Sequence, residues 1–157
     1  MSIRCVSKAI IINNGAVLLN KCQNEEGHIY YDLPGGGQNV YESLEEALVR
    51  EVKEETGYDV RVDKFVALAE EIYTSTDLRE RFPEYTHRVF HIFKASLISD
   101  KLDAPTEIDF ATEGSVWVPL SDLECEIEIC PSGLKGLLCD WEKAEFPCYL
   151  GTEYKDW

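Results

Sequence analysis

The segment from Ser43 to Gly57 predicts a helix whose apolar side must be buried. Ser43 is a suitable N-cap, Glu46 completes a capping box three residues later, and Gly57 suits the left-handed residue that ends a helix. Between these ends, an apolar stripe recurs at helical spacing: Leu44, Ala47, Leu48 and Val52. The chain must therefore supply a core against which this stripe packs.

Three glutamates at the end of this helix break two local rules. Glu51, Glu54 and Glu55 lie near the last turn, where the helix dipole disfavours anions. They also project into or beside the apolar stripe, where unpaired carboxylates are costly. A solvated acidic helix end is the alternative, but Glu51 lies near the middle of the stripe. Clustered carboxylates suit Mg²⁺ or Mn²⁺, so we predict a divalent cation site here.

A glycine-rich loop precedes the helix. Leu33-Pro34-Gly35-Gly36-Gly37 allows positive φ angles and close approach of other groups to the backbone. It is not a nucleotide-binding P-loop, because no Gly-Lys-Ser/Thr follows. In front of an acidic helix, one of its carbonyl groups could complete the coordination of a metal.

Loop and helix together form a spaced motif, Gly36-x5-Glu42-x7-Arg50-Glu51-Val52-x-Glu54-Glu55-x-Gly57-Tyr58. It resembles the Nudix box of MutT-type pyrophosphohydrolases over residues 36–58, with all seven identity-specified positions filled. The flanking Leu33-Pro34-Gly35 and Trp117-Val118-Pro119-Leu120 extend the resemblance. There are two departures: Tyr58 replaces the usual aliphatic residue, and Tyr41 stands where many members have glycine.

The resemblance implies a fold, a chemistry and residue roles. The fold would be α/β (α+β), a Nudix-type α/β/α sandwich with a mixed central sheet, as a single domain over residues 1–157. Arg50 would pair with a box glutamate, and Glu42 would lie close to the metals. Water would be deprotonated and would attack a phosphorus of a diphosphate linkage. The implied ligands of the catalytic Mg²⁺ or Mn²⁺ are Glu51, Glu54, Glu55 and the carbonyl of Gly36.

The general base has several candidates. Glu51 could serve, but some Nudix enzymes use an acid from a later loop. Glu107, Asp109 and Glu113 are the acids available there, and Glu113 is preferred because it lies just before the Trp117 strand. The alternative is that Glu113 is an ordinary loop carboxylate.

The segment 74–85 and its flanks are predicted to contact substrate. Arg79, Arg81 and, just beyond, Arg88 could bind phosphate in a bidentate way. Long connections are often binding loops or lids. A solvated loop balanced by its own acids is the alternative.

Tyr73 lies near the position where dinucleoside-polyphosphate hydrolases tend to have a tyrosine, so it could stack a base. A (d)NTP or a nucleotide sugar such as ADP-ribose is an equally open substrate.

The net charge of −15 limits the classes of binding partner that suit this chain. It argues against duplex DNA and anionic membranes, which need a basic face. No apolar run approaches the length of a membrane span, and no signal peptide is recognised. Six cysteines without a Cys-x-x-Cys pair indicate reduced thiols, so we expect a cytoplasmic protein. The aromatic tail, which carries Phe146, Tyr149, Tyr154 and Trp157, is the local support for a homodimer. The rival function is a Nudix-fold sensor that binds a nucleotide without turnover.

Other elements follow from alternation and turn signals. Asn13-Asn14-Gly15 predicts a hairpin turn. A second helix is predicted over 132–143. Strands are predicted at 4–12, 16–22, 29–33, 60–62, 65–73, 86–97 and 116–120.

Overall fold

The computed structural model describes residues 3–107, 111–124 and 127–157. The strands are β1 (Arg4–Asn13), β2 (Ala16–Gln23), β3 (Ile29–Asp32), β4 (Tyr58–Tyr73), β5 (His87–Leu102), β6 (Thr112–Pro119), β7 (Ile129–Cys130) and β8 (Cys148–Lys155). The α-helices are α1 (Leu44–Thr56), α2 (Thr76–Arg81) and α3 (Gly133–Cys139), with 3₁₀ turns at Leu120–Asp122 and Trp141–Lys143. Among the helices in these ranges, none has the length and apolar character needed to cross a bilayer.

The strands form a mixed sheet in the order β7-β3-β2-β1-β5-β4-β8, with β6 paired to β2. The predicted hairpin is confirmed, because Asn14 and Gly15 have φ angles of 49° and 75° between antiparallel β1 and β2. β1 runs parallel to β5. Along its N-terminal half, β1 also bonds the glycine loop: Ser7 N donates to Gly36 O and Ala9 N to Pro34 O, both at 2.9 Å. The glycine loop is therefore anchored to the centre of the sheet.

Helices cover both faces of this sheet. Successive side chains of β1 alternate between the faces. On one face, Ala9 and Ile11 pack with Leu48 and Val52 of α1. On the other face, Val6 and Ile10 of β1 pack with Leu134 of α3. The predicted α/β/α arrangement with a mixed central sheet is confirmed.

Several predicted boundaries differ from the structure. The separate strands at 60–62 and 65–73 are one strand, β4, in which register shifts at three places bend an otherwise continuous ladder. The helix predicted over 132–143 ends at Cys139 and gives way to a 3₁₀ turn. The segment 74–85 contains α2, which Ser75 begins by accepting a hydrogen bond from Leu78 N. The aromatic tail forms β8, parallel to β4.

Candidate active site

Helix α1 begins and ends as predicted. Ser43 Oγ accepts from Glu46 N at 3.2 Å, and the Glu46 carboxylate accepts from Ser43 N at 2.8 Å. Gly57 has φ 78°, and a Cβ there would lie 1.9 Å from Asp103 O. The carbonyl of Glu54 accepts from the backbone N–H groups of Thr106 and Glu107. The last two contacts fix the acidic end of α1 against the segment that follows β5.

Arg50 joins three glutamates of the motif. Its guanidinium donates to Glu42 Oε1 at 2.7 Å, to Glu51 Oε1 at 2.8 Å and to Glu54 Oε2 at 3.0 Å. A further nitrogen donates to Gly37 O at 3.0 Å. Hydrogen bonds from Arg50, and one from Asn39 N, lower the pKa of Glu42 to about 2. Glu42 therefore stays ionised and holds Arg50 beside the other acids.

Glu51 lies directly against the glycine loop. A Cβ on Gly36 would lie 2.5 Å from the Glu51 carboxyl carbon and from its Oε2. Any side chain at position 36 would displace this carboxylate, which explains the need for glycine. The Gly36 carbonyl accepts a hydrogen bond from Ser7 N at 2.9 Å. Metal binding by this carbonyl stays a prediction, and it would share the oxygen with Ser7.

Glu55 is buried beneath the same loop, with 9% of its surface exposed. Its Oε2 accepts from Gly35 N at 2.8 Å and from Asn20 Nδ2 at 2.9 Å. Ser115 Oγ in turn donates to Asn20 Oδ1 at 2.7 Å. Burial raises the pKa of Glu55 to about 7, against the opposing effect of Lys8. The carboxyl is thus held in place and can lose its proton near neutral pH, as a cation ligand must.

Lys8 is a site residue that the sequence reasoning missed. Its ammonium donates to Asp32 Oδ2 at 2.9 Å, to Leu33 O at 2.9 Å and to Gly35 O at 2.7 Å. Burial opposes its charge, but Asp32 and Glu55 outweigh that and raise its pKa. A lysine inside the apolar run of β1 was the available signal. Lys8 stabilises the bend from which the glycine loop starts.

Tyr41 resolves one departure from the Nudix pattern. It adopts a left-handed backbone with φ 69°, and its side chain is fully exposed. A glycine would take this conformation without strain, whereas a tyrosine incurs a cost of about 1–3 kcal/mol. The loop before Glu42 therefore has a conformation suited to glycine although it carries a tyrosine.

The acids fit a divalent cation by the chemistry of their donors. Glu51 and Glu55 present carboxylates from one end of α1 to the backbone of the glycine loop, and Glu54 meets Arg50 beside them. Such hard oxygen donors suit Mg²⁺ or Mn²⁺. Arg50 engages two of these carboxylates. In the described ranges, no three His, Cys, Asp or Glu side chains already form a ligand set. Cation binding would therefore require these carboxylates to turn from Arg50.

The candidates for a later general base are placed differently. Glu113 forms an ion pair with Lys21 at 2.7 Å. Since side chains alternate along β2, Lys21 projects from the face opposite Asn20, which holds Glu55. Glu107 lies beside the acids through its backbone bond to Glu54 O. Asp109 lies outside the described residues. The contacts thus favour Glu107 over Glu113 in position, and the role of Glu113 stays a prediction without a supporting contact.

The predicted substrate arginines already have partners in the protein. Arg79 Nε donates to Tyr73 O. Arg81 pairs with Glu25 at 3.0 Å and with Asp77 at 3.3 Å. Arg88 donates to the buried Glu71, with Nε 3.0 Å from Oε1. Phosphate binding by these arginines stays a prediction, and it would require each to exchange a partner.

The family follows from this geometry and from comparison with known proteins. A model of the NUDIX domain matches residues 4–133, which include the glycine loop, α1 and the strands that hold them. The chain belongs to the Nudix family. Membership of this family agrees with the MutT-type resemblance of its box.

The share of a relative's length that this chain covers differs from one relative to the next. Nucleoside triphosphatase NudI from Enterobacter sp. (strain 638) is 33% identical over 126 residues, which cover 76% of this chain and 84% of NudI. ADP-ribose pyrophosphatase from Methanocaldococcus jannaschii is 34% identical over 95 residues, 60% of this chain and 52% of that protein. The chain spans 62% of the low-salt glycan biosynthesis protein Agl8 from Haloferax volcanii, at 30% identity.

Solved structures show the same Nudix fold. A NUDIX hydrolase from Nitrosomonas europaea superposes with a TM-score of 0.68 at 17% identity, covering 92% of this chain and 93% of that one. At this identity the likeness shows the fold. The mixed sheet with helices is thus shared with Nudix hydrolases of known structure.

Proposed function

We propose that this Nudix protein is a metal-dependent pyrophosphohydrolase that cleaves a diphosphate linkage in a nucleoside diphosphate-linked substrate. The observation that carries the proposal is the convergence of α1 carboxylates on the backbone of the glycine loop. Glu51 lies against Gly36, and Glu55 accepts a hydrogen bond from Gly35. Metal-assisted cleavage of a diphosphate uses such a cluster of hard oxygen ligands.

Each residue of the site has a part in this proposal. Glu51, Glu54 and Glu55 would hold Mg²⁺ or Mn²⁺, with the Gly36 carbonyl as a further donor. A cation bound there would neutralise charge on the phosphate oxygens. Glu51 would also accept a proton from the attacking water. Arg50 would keep its pairing with Glu42 and hold that glutamate beside the cation.

The names of two relatives support the substrate class. One relative is named as a nucleoside triphosphatase and another as an ADP-ribose pyrophosphatase. Both names describe hydrolysis of a phosphoanhydride in a nucleotide, so we propose the same class here. A cytoplasmic location and a homodimer remain proposals that follow from the sequence.

The test is turnover of a nucleotide panel with Mg²⁺ and with EDTA. The panel contains a nucleoside triphosphate, a dinucleoside polyphosphate and ADP-ribose, and the products are separated by anion-exchange chromatography. We expect an accepted substrate to be split at a diphosphate linkage, with pyrophosphate rather than phosphate released from a triphosphate, and no turnover in EDTA. Tight binding of a nucleotide without turnover would instead support the sensor, and turnover unaffected by EDTA would contradict the metal site.

A further inference from the structure

A cavity of about 410 Å³ opens beside the site. It lies between the turn after β2, helix α2 and the last residues of the described chain, Asp156 and Trp157. Its volume falls in the range of small-molecule binding sites. Asp156 and Trp157 lie beyond residues 4–133, the part that matches the family model. This chain therefore builds one wall of the cavity from residues outside the matched domain.

Aromatic side chains form much of the lining. Tyr30 and Trp157 meet edge to face with ring centroids 5.6 Å apart. Phe82 and Tyr85 remain 42% and 47% exposed at the opening, where Arg81 and Arg4 lie over their rings. The lining aromatic residues are Tyr30, Tyr73, Phe82, Tyr85 and Trp157. Such a lining favours a flat ring that can stack.

Cations beside the lining rings decide the charge of the ring that this cavity would bind. Lys155 Nζ lies 4.5 Å from the Trp157 ring centroid, and the Arg88 guanidinium lies 5.8 Å from that of Tyr73. Arg81, which itself lines the cavity, lies 5.0 Å from the Phe82 ring centroid. Because these cations already draw on the negative ring faces, a second cation would gain little. A neutral aromatic ring is the better occupant.

Acids on the cavity lining select which neutral ring fits. Glu25 and Asp77 are paired with Arg81. Among the described residues, the side chains of Glu26 and Asp156 have no hydrogen-bond or ion-pair partner. These two carboxylates repel a phosphate and can accept hydrogen bonds. Guanine is the standard base that presents two adjacent N–H donors on one edge, which match the two oxygens of a carboxylate.

The cavity is in reach of the acidic cluster. Asn20, which holds Glu55, lies three positions before the cavity residue Gln23 at the end of β2 and four before Asn24, just beyond the strand. At about 3.3 Å per residue the separation along the strand is roughly 10 Å. On the paired strand, Tyr30 lines the cavity two residues before Asp32, which binds Lys8. A nucleotide could thus reach both places.

We propose that this cavity binds the base of the substrate and that its free carboxylates select a guanine-type edge. The proposal rests on the proposed diphosphate cleavage for its orientation, with phosphates at α1 and the base beside α2. Inosine nucleotides give the matched comparison, because inosine lacks only the 2-amino group of guanosine. Loss of one hydrogen bond to a charged acceptor should weaken binding by about tenfold or more.

The test measures equilibrium binding of GMP and IMP by calorimetry without added metal, so that it does not depend on turnover. We expect GMP to bind about tenfold or more tightly than IMP. A double variant, Glu26→Gln with Asp156→Asn, should remove most of this difference, whereas Asp100→Asn, an exposed acid away from the cavity, should preserve it. Trp157→Leu should weaken both ligands, and Tyr154→Leu, an exposed aromatic on β8 that does not line the cavity, should weaken neither.

Equal binding of GMP and IMP, or a preference that survives the double variant, would overturn the assignment of the base. Unchanged binding in Trp157→Leu would overturn the cavity as the binding place. Guanine preference without turnover of any diphosphate would support the cavity while rejecting the proposed hydrolysis. Turnover of a diphosphate substrate without a preference for GMP over IMP would support the proposed hydrolysis while rejecting the cavity as a guanine site.

Discussion

Glu54→Gln is expected to lower kcat for the best diphosphate substrate at least about a hundredfold while the fold is retained. Loss of groups that merely support a metal ligand typically costs about 10- to 100-fold, so loss of a ligand charge should cost at least as much. The change keeps the backbone carbonyl that binds Thr106 and Glu107, and it keeps the length of the side chain. Steady-state kinetics with Mg²⁺, alongside thermal unfolding, measure both effects.

Two further variants make this result specific. Glu45→Gln removes a charge from an exposed position in the first turn of α1 and should leave kcat unchanged. Gly36→Ala adds a methyl group that displaces the Glu51 carboxylate, so it should lower kcat strongly. Wild-type turnover in Glu54→Gln would remove Glu54 from the site. An equal loss in Glu45→Gln would show that overall charge, rather than the cluster, controls the rate.

Glu71→Gln is expected to lower the free energy of unfolding by about 3–5 kcal/mol. Glu71 is buried between two cations: Arg88 donates to its Oε1, and Lys155 Nζ lies 2.9 Å from its Oε2. The variant would leave both cations buried without a compensating charge. For a chain of this size the melting temperature should fall by roughly 10 °C. Chemical and thermal denaturation measure the change.

Acid should reproduce part of this loss in the wild type. Burial raises the pKa of Glu71, but Arg88 and Lys155 outweigh it and hold the pKa below its ordinary value. Because the folded-state pKa is lowered, the stabilisation is present above the unfolded pKa of about 4.5 and is lost as pH falls through the folded value. Glu71→Gln should therefore flatten the dependence of stability on pH in the acid range.

The neighbouring residue gives the matched control. Glu70, next to Glu71 on β4, pairs with His87 of β5, but its side chain is 30% exposed. Because exposed pairs contribute little, Glu70→Gln should cost at most about 1 kcal/mol. Equal losses of unfolding free energy in Glu70→Gln and Glu71→Gln would mean that burial does not determine how much the ion pairs of Glu71 contribute to stability.

The sequence was most informative where the deciding interactions are local. The ends of α1, the hairpin at Asn14 and Gly15, and the apolar stripe depend on residues within one helix or turn, and all three were predicted. The convergence of the glutamates with the glycine loop also follows from fixed spacing. The pairing of Arg50 with several glutamates extends the single pairing that the resemblance implied.

The sequence was least informative where strands distant in the chain meet. The pairing of Glu71 with Lys155 depends on β8 lying parallel to β4, which no local pattern encodes. Lys8 meets Asp32 because β1 and β3 both border the glycine loop. Glu113 pairs with Lys21 across neighbouring strands, and alternation along β2 places Lys21 on the face away from Asn20. Each of these pairings depends on the direction in which a side chain points, and the order of residues along the chain does not give that direction.

The most direct measurement is an anomalous difference map from a crystal soaked in MnCl₂. The account predicts a manganese peak among the carboxylates of Glu51, Glu54 and Glu55, with Arg50 moved away from the carboxylates that bind the ion. Arg50 still bound to Glu51 and Glu54, with no peak among the three acids, would contradict it.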